Sequence, residues 1–336
     1  METRPIAILG ATGSIGTTTL AVVRAHPTLL SVSGLAAHSR WRELIAPVKE
    51  FNVKTIALAD PAAAAAARAS GEFKGVRILE GTDGLTEVAC LPEVKTVVSA
   101  VVGTAGLQPT LAAITAKKDI ALASKELLVL AGKFITTAAQ KSGARLLPVD
   151  SEHNAIHQLL RDKPKQEIAR LVLTASGGAF RDTPLEHLKK VTPAQALQHP
   201  NWNMGPKVTI DSATMANKGL EIIEARWLFD MPVSRIDVVI HPQSIIHSIV
   251  QFEDGSMKAQ MGLPDMKLPI QYALGFPKRL KADFPRFNFV NYPSLTFESP
   301  DTETFRNLAL ATEAMKTGGN MPCIINAANE VAVAAF

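Results

Sequence analysis

Residues 4–23, RPIAILGATGSIGTTTLAVV, carry the reading that decides the fold. A short apolar run, 4–10, ends in glycine and passes straight into a helical pattern that continues through Val23. Gly10, Gly13 and Gly16 give the spacing GxxGxxG between and within these two elements. Glycine lets the chain turn sharply and lets its backbone approach a pyrophosphate, which the free N–H groups of a helix N-terminus then stabilise. The spacing is not the strict GxGxxG, and by itself it also suits a plain strand–helix turn. Its position after the first strand argues for a dinucleotide.

The same alternation continues outward. Apolar runs at 30–36, 53–59 (VKTIALA), 75–79, 95–102 and 119–123 read as strands, with an Ala-rich helix at 61–70 and helical stretches between the last two runs. Strands alternating with helices imply a parallel sheet covered on both faces. After Val149 the pattern loosens. A run at 168–174 (IARLVLT) leads into Ser176-Gly177-Gly178, and further strands are expected at 235–241, 245–253 and 256–261. The last two flank Asp254-Gly255, a strong hairpin signal. Residues 275–300 contain Pro277, Pro285, Pro293 and Pro300 with little periodicity, as in an ordered linker. Residues 302–316 and the final NAANEVAVAAF look helical.

The expected class is therefore α/β. It comprises an N-terminal Rossmann-type parallel sheet at 1–149, an α+β catalytic domain at 150–274 with a mobile lid near 198–208, a linker at 275–300, and the start of a C-terminal helical domain at 301–336. That helical region reads as truncated, because the chain halts at Phe336 inside a helix pattern with Val331, Val333 and Phe336 lacking partners.

Composition narrows the function. The chain has 336 residues, 47% hydrophobic and 20% charged, which fits a soluble globular protein with a sizeable core. The net charge of +4 is dispersed, with only Lys117-Lys118 and Lys189-Lys190 paired, so nothing points to nucleic acid. A mild excess of cations suits small phosphorylated molecules. Cys90 and Cys323 are too few for a disulfide framework or a zinc site and indicate a reducing compartment. The N-terminus enters a strand at once, leaving no room for a signal or transit peptide, and no apolar run approaches a membrane span. A cytoplasmic location is expected.

After the second strand, an NAD site needs an acid for the ribose hydroxyls. Residues 34–42 read GLAAHSRWR and contain none. His38, Ser39, Arg40 and Arg42 suit a 2′-phosphate instead, which predicts NADPH over NADH.

Asp150-Ser151-Glu152 follows the strand-like ARLLPV. Two carboxylates two residues apart, with Glu221 from a distant helix and Glu224 as an accessory, suit a hard divalent cation. Asp150 also reads as an ordinary N-cap. Lys125 ends the strand DIALASK, where open parallel sheets place ligand groups, although solvated strand ends carry lysines too. In HPNWNMGPKVTIDSATMANKGLEIIEARWLF, 199–229, the first half reads as a flap because Pro200, Asn201, Gly205 and Pro206 punctuate it. The second half reads as a helix starting near Ser212 or Thr214, with Asn217, Lys218 and Glu221 on one face. A capped amphipathic helix with an ordinary Lys–Glu pair is the plainer reading. Ser176, Ser212, Asn217 and Lys218 are types that grip a phosphate.

The motifs GATGSIG (10–16), LASKE (122–126), PVDSEHNAI (148–156), SGGAF (176–180), HPNWNMGPK, DSATMANKGLE, HPQSIIHS (241–248) and NAANE (326–330) occur in this order. Together they resemble the 1-deoxy-D-xylulose-5-phosphate reductoisomerase family of the methylerythritol phosphate pathway, over nearly the whole chain.

The resemblance implies that Asp150, Glu152 and Glu221 bind Mg²⁺, Mn²⁺ or Co²⁺. It implies that Lys125, Ser151 and Asn217 hold substrate oxygens, and that Ser176, Ser212, Asn217 and Lys218 hold the phosphate of a small sugar substrate. His199, Trp202 and Met204 would lie on a lid. Gly10, Ala11, Thr12, Gly13, Ser14 and Ile15 would carry the cofactor pyrophosphate. Ala37, His38, Ser39, Ala100, Ser124, Lys125, Glu126 and Gly205 would complete the cofactor site. Lys125, Glu152, His153 and Glu221 would serve catalysis. His247 also stands where the family has it, and a merely structural role is open for both histidines. A homodimer is implied. The family isomerises its substrate by retro-aldol cleavage and re-addition, then reduces the branched aldehyde with NADPH. Ala37-His38-Ser39 stands where the family usually has Gly-Lys-Asn, a departure at the adenosine side.

Two rival readings fit the residues less well. A semialdehyde dehydrogenase would need a nucleophilic cysteine, and neither LACLPE nor MPCIIN offers a base or a strained turn. A silent NADP sensor has no need of three carboxylates and Lys218.

Overall fold

The structure is a computed structural model that describes residues 3–202 and 204–336. The chain divides into two compact units. The first comprises Met1–Leu127, Ala131–Asp150 and Met266–Asp283; the second comprises Leu128–Leu130, Ser151–Asp265 and Phe284–Phe336.

The first unit is built on seven parallel strands: β1 (Arg4–Leu9), β2 (Leu30–Ala37), β3 (Thr55–Leu58), β4 (Arg77–Glu80), β5 (Thr96–Ser99), β6 (Asp119–Leu122) and β7 (Leu146–Pro148). Their order is β4-β3-β2-β1-β5-β6-β7, so the direction of winding reverses between β1 and β5. Ile6, Ala7, Ile8 and Leu9 are fully buried, as are Ile56, Val97, Val98 and Ile120. Helices on both faces explain why the central strands are unbroken apolar runs instead of alternating ones. Each such buried Ile, Leu or Val side chain contributes roughly 1.5–3 kcal/mol.

The helix Lys267–Gly275 belongs to this unit through two polar anchors. The Arg4 guanidinium donates to the carbonyls of Leu274 (2.6 Å) and Phe276 (2.9 Å), and His26 Nε2 donates to Gln271 Oε1 (2.8 Å).

The second unit holds a four-stranded mixed sheet of β8 (Ile168–Ala175), β9 (Ile236–Ile240), β10 (Ile246–Phe252) and β11 (Met257–Met261), in the order β11-β10-β8-β9. β8 and β9 are parallel, and β10 is antiparallel to both of its neighbours. The β10–β11 hairpin turns at Asp254-Gly255 as the sequence predicts, with Asp254 Oδ1 accepting from the Ser256 N–H at 2.9 Å. Its core joins Leu171, Leu173 and Val250 of the sheet to Ile156, Ile222, Ala225 and Phe229 of two helices, Ser151–Leu159 and Ala216–Phe229.

One expectation is corrected here. The helix expected from near Ser212 or Thr214 starts at Ala216, two residues past Thr214, but a separate helix, Pro206–Ala213, precedes it where the flap was expected to continue. Pro206 at the first helical position, after Gly205 in extended backbone, pre-sets the first helix. Met215, at φ +61°, then breaks the chain between the two. Ser212 therefore stands at the end of one helix, and Asn217, Lys218 and Glu221 stand in the next.

The proline-rich segment after residue 283 is ordered by pairing. Ile240 and Glu298 exchange backbone hydrogen bonds of 2.9 and 3.0 Å. Helices Arg306–Thr317 and Met321–Ala335 follow, with Val331 and Phe336 exposed. Among the described residues no helix is long and apolar enough to cross a membrane.

Candidate active site

The expected cofactor residues other than Gly205, which lies in the second unit, stand in the first unit at the carboxyl ends of β1, β2, β5 and β6, around the point where the strand order reverses. Ligands of doubly wound sheets bind there. Gly10, at φ +90°, lies so close to the chain after β5 that a Cβ on it would meet the Ala100 carbonyl at 2.3 Å. Its N–H and that of Ala11 both donate to the Ala36 carbonyl, at 2.9 and 2.8 Å. The helix Ser14–Ala25 begins on Gly13 with no side-chain cap, so its first N–H groups face the turn. His38, Ser39 and Arg40 are exposed just past β2, and Arg40 makes a 3.2 Å ion pair with Glu43.

After β6, Ser124 Oγ donates to the Val101 carbonyl at 2.6 Å. Lys125 is buried and forms an ion pair with Asp150, just past β7. Glu126, also buried, opens the next helix.

In the second unit the two helices of the core bring a charged cluster together. Lys218 Nζ lies 2.8 Å from Glu152 Oε1 and forms an ion pair with Glu221 Oε2. Carboxylate oxygens of Glu152 and Glu221 lie within 4.8 Å of one another. Ser151 Oγ donates to Glu152 Oε2 at 2.6 Å, and Asn217 Nδ2 donates to Glu221 Oε1. Lys218 is 4% exposed. Burial opposes its charge, but Glu152 and Glu221 outweigh that and hold its pKa above the ordinary lysine value. Lys218 is thus found on the carboxylates.

His153 is fully buried behind this cluster. Its Nε2 donates to the Glu221 carbonyl at 2.8 Å, its Nδ1 faces Glu224 Oε2 at 3.3 Å, and its ring stacks on Phe229 at 6.3 Å. Glu224 therefore faces a histidine within this unit.

The flap carries its own order. His199 Nδ1 accepts from the backbone N–H groups of Asn201 (3.1 Å) and Trp202 (3.0 Å). Its Nε2 must then carry the proton and donates to Ser176 Oγ at 2.9 Å. Burial lowers the His199 pKa, which keeps this neutral tautomer. Trp202 is half-buried with its ring 6.1 Å from that of buried His247, whose pKa is lowered by burial and partly restored by Glu152. Gly178, at φ +75°, packs on the Ser212 backbone so tightly that a Cβ would meet the Ser212 carbonyl at 2.3 Å. The SGG turn and the end of the Ser212 helix are thereby held together. Met204 is half-buried, and Gly205 caps the Pro206 helix.

Sequence reading missed one polar network. Asp211, 1% exposed, pairs with Lys207 at 2.8 Å and accepts from Asn329 Nδ2 at 2.8 Å, while Lys207 also reaches Glu330 at 3.0 Å. The four-residue spacing of Lys207 and Asp211 was the available signal.

Three sequence profiles match the chain. Residues 6–132 match 1-deoxy-D-xylulose 5-phosphate reductoisomerase, residues 146–229 match its C-terminal domain, and residues 261–336 match a further DXP reductoisomerase C-terminal domain. The chain is 53% identical to the 1-deoxy-D-xylulose 5-phosphate reductoisomerase of Bacteroides thetaiotaomicron over 99% of its length and 85% of that protein. This chain belongs to the 1-deoxy-D-xylulose 5-phosphate reductoisomerase family. The enzyme of that name from Heliobacterium modesticaldum is 54% identical over 98% of this chain and 85% of its own length.

Solved structures of the family agree. A DOX-P reductoisomerase in complex with NADPH, fosmidomycin and magnesium superposes with a TM-score of 0.94 at 44% identity, over 99% of this chain and 84% of that one. The Zymomonas mobilis reductoisomerase in complex with NADPH gives 0.93 at 43%, over 99% and 86%.

Proposed function

We propose that this chain converts 1-deoxy-D-xylulose 5-phosphate to 2-C-methyl-D-erythritol 4-phosphate in non-mevalonate isoprenoid synthesis, using NADPH and Mg²⁺, Mn²⁺ or Co²⁺. The observation that carries the reading is the convergence of Glu152 and Glu221, from two helices, in a chain of this family. Residues 1–149 serve NADPH and 150–274 serve the chemistry, with the lid near 198–208, a linker at 275–300 and a helical region at 301–336.

The donor chemistry fits both groups. Hard carboxylate oxygens within reach of each other suit a hard divalent cation, with Asp150, two residues before Glu152, as the third ligand. The close approach at Gly10 and the uncapped helix Ser14–Ala25 suit a pyrophosphate spread over Gly10, Ala11, Thr12, Gly13, Ser14 and Ile15. Ala37, His38, Ser39, Ala100, Ser124, Lys125, Glu126 and Gly205 make the rest of the cofactor site. When bound, the metal supplies Lewis acidity at the substrate oxygens and the cofactor supplies hydride.

The remaining work belongs to the chain. Ser176, Ser212, Asn217 and Lys218 bind the substrate phosphate. Lys125, Ser151 and Asn217 orient the carbonyl and hydroxyl groups. His153 positions the Glu221 helix through the Glu221 carbonyl. His199, Trp202 and Met204 cover the site and keep water from a reactive aldehyde. The enzyme works in the bacterial cytoplasm as a homodimer, without nucleic-acid or membrane partners.

The test is the loss of NADPH absorbance with 1-deoxy-D-xylulose 5-phosphate, with and without divalent metal. Turnover that needs both the substrate and the metal supports the reading. Oxidation that is indifferent to the metal refutes it.

A further inference from the structure

We infer that Lys218 is an exchangeable counter-cation shared between the Glu152–Glu221 pair and an oxyanion, so that metal and phosphate binding strengthen one another. This rests on the metal and phosphate assignments made above. The geometry is specific. Each of the two carboxylates gives one oxygen to a neutral donor, Ser151 or Asn217, and the other to the Lys218 ammonium. A divalent cation taken by these carboxylates would share their space with that ammonium. Two cations at ion-pair separation repel, and the repulsion grows as the surrounding dielectric falls. Lys218 is 4% exposed, so water does not offer it a ready refuge.

A second anion does. Lysine carries a point charge on a flexible four-carbon stem, so its ammonium can turn from one partner to another without moving the helix. Lys218 lies in the first turn of Ala216–Phe229, beside Asn217. The charges agree: Glu152, Glu221 and Lys218 sum to −1, a divalent cation takes the sum to +1, and a phosphate dianion returns it to −1. The pair of ions thus returns the cluster to its resting sum, which the cation alone does not. Asp150, the third carboxylate, carries Lys125 as its own counter-charge, His153 and Glu224 face each other behind the cluster, and buried His247 also feels the charge of Glu152.

The coupling is measurable without turnover. Mn²⁺ binding to the intact protein is followed by the electron paramagnetic resonance of free Mn²⁺. Inorganic phosphate is the probe, with a protein-free blank for Mn²⁺–phosphate complexes. Phosphate is expected to lower the Mn²⁺ Kd by roughly 5- to 150-fold, the usual span of couplings between two sites, and Mn²⁺ to lower the phosphate Kd by the same factor. Lys218→Met is expected to bind Mn²⁺ more tightly than the wild type when phosphate is absent. A wild-type Mn²⁺ Kd that phosphate leaves unchanged overturns the inference, and this arm needs no variant to fold. So does a folded Lys218→Met protein that binds Mn²⁺ no more tightly than the wild type, because the ammonium would then not compete. Failure of the wild type to bind Mn²⁺ at all would instead sink the metal assignment beneath it.

Discussion

His153 donates through Nε2 to the backbone carbonyl of Glu221 at 2.8 Å. The bond runs between residues 68 positions apart and ties the helix that carries Glu152 to the helix that carries Glu221, beside both carboxylates. The spacing of the two acids is thus held by this buried bond as well as by Lys218, which bridges them.

Glu221→Gln keeps the shape of that frame and removes one charge. Metal-dependent turnover should fall by at least roughly 100-fold, since a Lewis-acid contribution of several kcal/mol is withdrawn at about 1.4 kcal/mol per tenfold. NADPH binding, followed by fluorescence, should be unchanged. Full activity at low metal would refute the ligand role.

Trp202 is half-buried on the flap, its ring tilted 56° to that of His247 at 6.1 Å. Trp202→Ala should lower kcat/KM by roughly tenfold or more, because positioning and closure are lost. The melting temperature should move by no more than roughly 2–4 °C, the equivalent of about 1 kcal/mol in a chain of this class. A collapse of thermal stability with intact kinetics would place Trp202 in the core instead.

The His199 tautomer gives an acid limb. Protonation at Nδ1 removes the acceptor for the Asn201 and Trp202 N–H groups. Burial holds the folded pKa below the ordinary 6.5, so the turn is present above 6.5 and is lost as pH falls through the lowered value. Substrate KM should rise in that window in the wild type. His199→Asn should have a higher KM at neutral pH and a flatter profile. Parallel profiles for the two proteins would remove His199 from the acid limb.

His157 should show in stability. Burial first, and Arg161 second, lower its pKa from 6.5 to about 4. The neutral form is favoured in the folded state, so its contribution is complete above pH 6.5 and is lost as pH falls toward 4. The loss is at most about 3 kcal/mol at 1.36 kcal/mol per pH unit. Urea midpoints of the wild type should fall across this range faster than those of His157→Asn. Equal slopes would contradict the assignment.

Cofactor choice should follow from the end of β2, where no acid stands. NADPH should exceed NADH in kcat/KM by roughly 10- to 100-fold, the worth of one charge-assisted contact. His38→Ala or Arg40→Ala should narrow that ratio by raising the NADPH KM. Comparable efficiency with the two cofactors in the wild type would show that these residues do not meet a 2′-phosphate.

The local elements were legible in the sequence because their signals are local. Ile6–Leu9, buried on both faces, reads as an unbroken apolar run, and Asp254-Gly255 between two short runs reads as a hairpin. The break at Met215 was not legible. Methionine gives no warning of a left-handed backbone, and the tight packing of Gly178 on Ser212 belongs to the fold around it. Asp211 looked like one more helical acid until Lys207 and Asn329 closed on it.

By itself, then, the sequence determined the alternating strands and helices, the glycine turn at Gly10, and the kinds of group available at Asp150, Glu152, Lys218 and Glu221. Periodicity of 2.0 or 3.6 residues and the stereochemistry of glycine act over a few positions, so they survive in one dimension. Only the tertiary structure decided that Lys218 stands between Glu152 and Glu221, that His153 holds the second of these helices, and that 266–283 joins the first unit. Those contacts span tens to hundreds of residues. They form because burying the shared apolar faces of whole elements brings particular charges together, and no local pattern along the chain encodes which charges meet.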